Sequence, residues 1–224
     1  MNRRAITTII AAALALSLSA CASQPTPLPP DYESIRAQVE EIKPYYPLAV
    51  GNEWTYEGVF LGKKTRRTIK ILKEEDGIYF DDGGGRLRFD MNGLRDEKRY
   101  LIKIPLREGN SWISIPSPVA AEHYRYERVE FADKVPAGVF ENCITVESTI
   151  SVDNSQKMTN AVTYAKGVGI IRIATVLFDG AKKIPQVKME LVGYKVGGKS
   201  VGKSAETDGG EEEVEEQVPT ENIK

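Results

Sequence analysis

An eight-residue phrase occurs twice in this chain, and it fixes the backbone at two places. Residues 47–54 read PLAVGNEW and residues 105–112 read PLREGNSW, so Pro, Leu, Gly, Asn and Trp recur in register at an offset of 58 positions. Each residue type has a local job. Pro sets φ, Gly supplies a positive φ, Asn bonds nearby backbone, and Trp is the first large side chain that must be buried. Both copies are therefore expected to be corners that launch β segments.

The residues after each corner support that expectation. Trp54, Tyr56, Gly58 and Phe60 alternate with Thr55, Glu57 and Val59, the period of a half-buried strand. Residues 65–73, TRRTIKILK, continue it with Ile69 and Ile71 on one face, which places a turn at Gly62 to Lys64. Asp76-Gly77 marks the next turn, Ile78 to Phe80 a short strand, and Asp81 to Gly85 (DDGGG) a mobile tip. Asn92-Gly93 is the strongest two-residue hairpin signal, and it makes RLRFDM and LRDEKRYLIKI antiparallel neighbours.

Beyond the second corner, Trp112, Ile113 and Ile115 precede a break at Pro116 to Pro118, and residues 123–131, HYRYERVEF, alternate again. Pro136 and Gly138 suit a type I turn, and Ile144, Val146, Ile150 and Val152 are expected to share a face. Asp153 to Ser155 and Asp179-Gly180 turn the chain, and Val187, Met189 and Leu191 are expected to face inward before Val196. Strands at intervals of roughly 8 to 12 residues, with no long helical pattern between them, predict an all-β fold. The expected form is an antiparallel, strongly curved sheet, as an open barrel or sandwich. One short N-terminal helix precedes it: Asp31 is its cap, Tyr32, Ile35, Val39 and Ile42 are its apolar stripe, and Pro44 ends it. The stripe is expected to lie on the sheet.

Charge narrows the partners. From Gly197 onward there are three basic against eight acidic side chains, whereas Pro44 to Val196 carries 23 against 20. The charge sits in the tail, EEEVEEQ included, whose composition cannot offset the entropy of ordering. The nearly balanced domain lacks the clustered basic face of nucleic-acid binders, so nucleic acid is excluded as a partner. Two cysteines, Cys21 and Cys143, form no disulfide framework or metal spacing, and Cys143 in FENCITV is expected to be a small buried hydrophobe.

The first residues carry an address. Met1 to Arg4 holds two arginines, and Ala5 to Ala20 is an apolar run too short to span a bilayer, the form of a secretory leader. Its end, LSAC at Leu18 to Cys21, resembles the bacterial lipobox, in which the Cys becomes the acylated first residue of the mature chain. The alternative is an ordinary secretory signal with a small-residue cleavage site. The resemblance implies lipid attachment, palmitate included, at Cys21, and membrane anchoring without a span. In a Gram-negative host, Ala22 in place of Asp implies the outer membrane, facing the periplasm. The division expected is residues 1–20 signal peptide; 21–43 acylated Cys, Pro-rich tether and short helix; 44–196 β domain; and 197–224 disordered acidic tail.

No catalytic or metal constellation appears. His123 is the only histidine, so no His-based metal site can form within one chain, and no nucleophile motif accompanies it. DDGGG lacks both the helix of a phosphate loop and the spaced oxygens of a calcium loop. The aromatic set Trp54, Tyr56, Phe60, Trp112, Tyr124 and Tyr126 has two readings: closed core, or the lining of an apolar concavity for a lipid or acyl chain.

Taken together, PLxxGNxWTY, PLxxGNSW, VPAGxFxxC and a Gly-Val-Gly strand over Tyr46 to Tyr194 resemble a widespread class of uncharacterised bacterial envelope lipoproteins. More distantly, a curved sheet on a lipid anchor is similar to the lipoprotein localisation factors, whose sheet cradles acyl chains. That class carries no activity to transfer, and the function expected is that of a non-enzymatic, outer-membrane-anchored binding or assembly module, with no cofactor and with an envelope protein or lipid as partner. A carrier of lipid or acyl chains is the alternative.

Overall fold

Both copies of the repeated phrase fold the same way in the computed structural model, which describes residues 31–118 and 120–202. The Asn52 side chain donates to the Pro47 carbonyl (2.7 Å), and Asn110 donates to the Pro105 carbonyl (2.9 Å). Gly51 and Gly109 take positive φ, 87° and 76°, where a Cβ would be strained. Each corner then clips to a neighbouring strand, Gly51 N–H to the Ile71 carbonyl and Gly109 N–H to the Tyr126 carbonyl. The leader, Cys21, the Pro-rich tether and the acidic run of the tail lie outside the described residues.

Each corner launches a six-stranded meander. The first comprises β1 (Glu53–Phe60), β2 (Lys63–Glu75), β3 (Ile78–Asp81), β4 (Arg86–Asp90), β5 (Gly93–Arg95) and β6 (Tyr100–Lys103). The second comprises β7 (Ser111–Ser117), β8 (Ala120–Val135), β9 (Gly138–Ser151), β10 (Gln156–Ala165), β11 (Gly169–Asp179) and β12 (Lys182–Val196). β1 pairs with β12, so the order runs β6-β5-β4-β3-β2-β1-β12-β11-β10-β9-β8-β7, antiparallel throughout. The sheet curls into a barrel open along one seam, between β6 and β7.

Close approach holds the β1–β12 joint: a Cβ on Gly58 would stand 1.9 Å from the Lys188 carbonyl oxygen. Helix α1 (Tyr32–Ile42) buries Val39 and Ile42 and runs into a 3₁₀ turn at Lys43–Tyr45 that contains Pro44. The Asp31 side chain makes no capping bond; its carbonyl accepts from Ile35 N–H.

Aromatic side chains fill the barrel in two groups, one beside each tryptophan. Trp54, fully buried, stacks on Tyr46 at 5.1 Å between ring centroids, and its indole N–H donates to the Val168 carbonyl at 2.6 Å. Trp112 stacks on Tyr124 at 5.5 Å and donates to the Tyr100 carbonyl at 3.0 Å, across the seam. Tyr126 spans the same gap. Its hydroxyl accepts from Lys103 N–H (3.1 Å) and donates to the Lys103 carbonyl (2.7 Å), so one side chain takes the place of a strand neighbour. Among the described residues no buried side-chain nitrogen or oxygen lacks a partner.

Several expectations shift. The hairpin at Asn92-Gly93 turns on Met91 and Asn92, because Asp90 pairs with Gly93, and the one at Asp179-Gly180 turns on Gly180 and Ala181. LRDEKRYLIKI is two strands, since the Asp96 carboxylate accepts from Lys98 and Arg99 N–H and folds a turn within it. DDGGG is tied down: Asp81 accepts from Gly83 and Gly85 N–H, and Asp82 from Lys70 N–H. Val152 lies past the end of β9 and is exposed, apart from Ile144 and Val146. The tail begins later than Gly197, because β13 (Lys199–Val201) pairs with β12.

Candidate functional site

The strands differ in length, and the difference makes a cup. β3 to β6 are three to five residues long, whereas β8 and β9 have 16 and 14. The long wall therefore continues where the short wall stops. A cavity of about 310 Å³ lies against the inner face of β8 to β11 beside the seam. Val146, Ile150, Met158 and Val162 form its aliphatic side, with Leu101 across the seam. Cross-strand register sets this lining, for Val162 stands opposite Val146, and Met158 opposite Ile150.

The polar side is an ionic group at the seam. The Arg99 guanidinium donates through Nε to Asp96 (3.0 Å), and its Nη1 lies 3.7 Å from Glu122 on β8. Burial works against the charge on Arg99, but Asp96, Tyr124 and Glu122 outweigh it and raise its pKa. The Tyr124 hydroxyl donates to Glu122, and burial followed by that bond pushes the phenol well above its ordinary value. Tyr124 is thus a neutral donor already in use. Opposite stand Ser148, Asn160 and Thr175, the last donating to the Asn160 side-chain oxygen at 2.9 Å. Of this group Arg99 and Glu122 line the cup, one charge of each sign, so the cup suits a small apolar group that carries hydrogen-bonding atoms.

Of the six aromatic residues singled out from sequence, only Tyr124 borders the cup. Trp54, Tyr56, Trp112 and Tyr126 are buried in the barrel, where Tyr56 donates to the Ile170 carbonyl. Phe60 is half-exposed at the end of β1, away from the other five. His123 is exposed and stands opposite Ile113 and Thr149 in the sheet. Cys143 is fully buried, with its thiol against the Phe140 carbonyl. Among the described residues no cluster of three His, Cys, Asp or Glu could hold a metal ion, and no helix is long and apolar enough to cross a membrane.

The cup residues escaped sequence reading for separate reasons. Alternation through Met158, Asn160 and Val162 could have found one wall. Arg99 and Glu122 carry no local signal, and the seam brings them together.

Fold and cup together define a class: an antiparallel, single-seam β-barrel with a cup beside the seam. No protein-family profile and no curated protein matches the chain. Two solved structures are similar to it. One is a candidate lipoprotein of Parabacteroides distasonis ATCC 8503, with 14% identity and a TM-score of 0.38, covering 67% of this chain and 98% of that one. The other is a candidate exported protein with a YmcC-like fold from Bacteroides fragilis NCTC 9343, with 15% identity, a TM-score of 0.38 and the same coverage.

Proposed function

We propose that this is a non-enzymatic, lipid-anchored protein of the cell envelope, held through Cys21 at the periplasmic face of the outer membrane, whose barrel is a binding or assembly module. The anchor rests on the apolar leader ending in LSAC and on Ala22 after the cysteine. One observation carries the module: the barrel is filled around both tryptophans, and beside the seam it leaves a cup of about 310 Å³ with an ionic side. That volume is at the lower limit of ligand pockets, which run from about 300 to 1,000 Å³. It fits a side chain or head group of a partner better than a whole acyl chain. The aliphatic wall of Val146, Ile150, Met158 and Val162 is what favours the alternative, a lipid carrier.

Mass spectrometry of the full chain extracted from membranes separates these readings. The expected N-terminal peptide begins at acylated Cys21, and the native protein carries no further mass. A peptide that begins elsewhere or lacks acyl mass removes the anchor. A second lipid that leaves on denaturation replaces the module with the carrier.

A further inference from the structure

One end of the barrel joins exposed apolar side chains to lysines. The β1–β2 turn reads Val59-Phe60-Leu61-Gly62-Lys63-Lys64, and Val59, Phe60 and Leu61 are 41%, 50% and 61% exposed. Five more hairpin turns share this end, and two of them, β11–β12 and β9–β10, continue the sheet from β1. Leu61 N–H donates to the carbonyl of Gln186, four residues into β12, and Gly180 N–H in the β11–β12 turn donates to the Ser155 carbonyl in the β9–β10 turn. The second tip brings Lys182 and Lys183, the latter 5.6 Å from the Phe178 ring centroid. The third brings Lys157 and Val152, which is 50% exposed. On these three adjoining tips Asp153 and Asp179 oppose the five lysines, while Asp81, Asp82, Asp96 and Glu97 stand on the β3–β4 and β5–β6 turns across the same end. Asp153 is engaged in its own turn, accepting from Ser155 and Gln156 N–H.

Three consecutive apolar residues, each left about half exposed next to two lysines, are costly to leave in water. An anionic bilayer surface satisfies both parts: lysines meet lipid phosphates, and Phe60 and Leu61 enter the interface. We propose that this hairpin end docks directly on an anionic phospholipid membrane, independently of the acyl chains on Cys21.

The test uses the acylated full chain in vesicles, with Leu61→Cys carrying an environment-sensitive fluorophore; Cys143 is buried and is not labelled. The expected result is a blue shift and slowed acrylamide quenching in phosphatidylcholine vesicles containing phosphatidylglycerol, absent in phosphatidylcholine alone. A label at Glu108, in the β6–β7 loop at the opposite end, should stay quenchable in both. With the unacylated chain, Lys63→Gln with Lys64→Gln should weaken binding to phosphatidylglycerol vesicles about 10- to 30-fold, at roughly 1 kcal/mol per lysine. Equal quenching at position 61 in both vesicle types overturns the proposal. So does protection that depends on protein density in phosphatidylcholine, which would assign the end to a second copy. Retention on phosphatidylcholine vesicles reads the anchor separately, so the two readings fail independently.

Discussion

The seam makes a sharp demand on a single oxygen atom. In Tyr126→Phe the ring stays in place and only the hydroxyl goes, together with both bonds to Lys103. Lys103 then keeps an N–H and a carbonyl facing the gap with no partner. A typical hydrogen bond contributes about 1 kcal/mol net, and a buried group left unpaired costs about 1–3 kcal/mol. Lys103 is only half-buried, so water recovers part of that loss. The expected destabilisation is about 2–3 kcal/mol. For a domain of this size each kcal/mol shifts Tm by about 2–4 °C, so Tm should fall by about 4–12 °C.

Tyr56→Phe is the matched control, because it removes one hydroxyl with one carbonyl partner, Ile170, away from the seam. It should cost about half as much. Urea unfolding read by circular dichroism gives both values, and the slope with denaturant should not change. Hydrogen exchange adds a local readout, since the Lys103 amide should lose protection only in Tyr126→Phe. A Tyr126→Phe protein within about 0.5 kcal/mol of the parent, with the Lys103 amide still protected, would show that something other than this side chain closes the barrel.

Three further outcomes rest on the same geometry. Gly58→Ala must displace β12, because the new Cβ would lie 1.9 Å from a backbone oxygen; a loss of about 2–3 kcal/mol in urea unfolding is expected, and a neutral result would refute the close approach. Burial raises the phenol pKa of Tyr46, Tyr56, Tyr126 and Tyr164. Folded values above unfolded ones mean that this stabilisation is complete below about pH 10 and is lost as pH rises through the folded values. Tyrosinate absorbance and far-ultraviolet dichroism should therefore show exposed tyrosines titrating first and these four only with unfolding. Cys143 should resist thiol reagents in the native protein and react fully in denaturant, because burial removes access and pushes its pKa up; rapid native labelling would contradict its placement.

What the sequence disclosed and what it hid divide along the distance between interacting residues. The corners were legible because Pro47 and Asn52, or Pro105 and Asn110, bond within five positions, and the strands because alternation is local. The turn at Asp96 stayed hidden behind continuous alternation, since a carboxylate that accepts two backbone N–H groups looks like any other charge. β13 stayed hidden because a Gly-rich stretch with Val201 as its one large apolar residue gives no period. The cup needed Arg99 and Glu122 to meet, and that needed the order of twelve strands.

The second corner shows why order could not be read from the phrase itself. Its Gly109 N–H and Asn110 carbonyl grip the backbone of Tyr126, just as Gly51 and Asn52 grip Ile71. Ile71 ends in a fully buried aliphatic side chain, so the first grip fixes a core residue and no more. Tyr126 ends in a hydroxyl that reaches β6, so the second grip, made by the same five residues, also aims the bond that closes the barrel. The phrase specifies a corner and its clip to a neighbouring strand, and the residue it happens to hold decides whether that corner only starts a meander or also completes the fold.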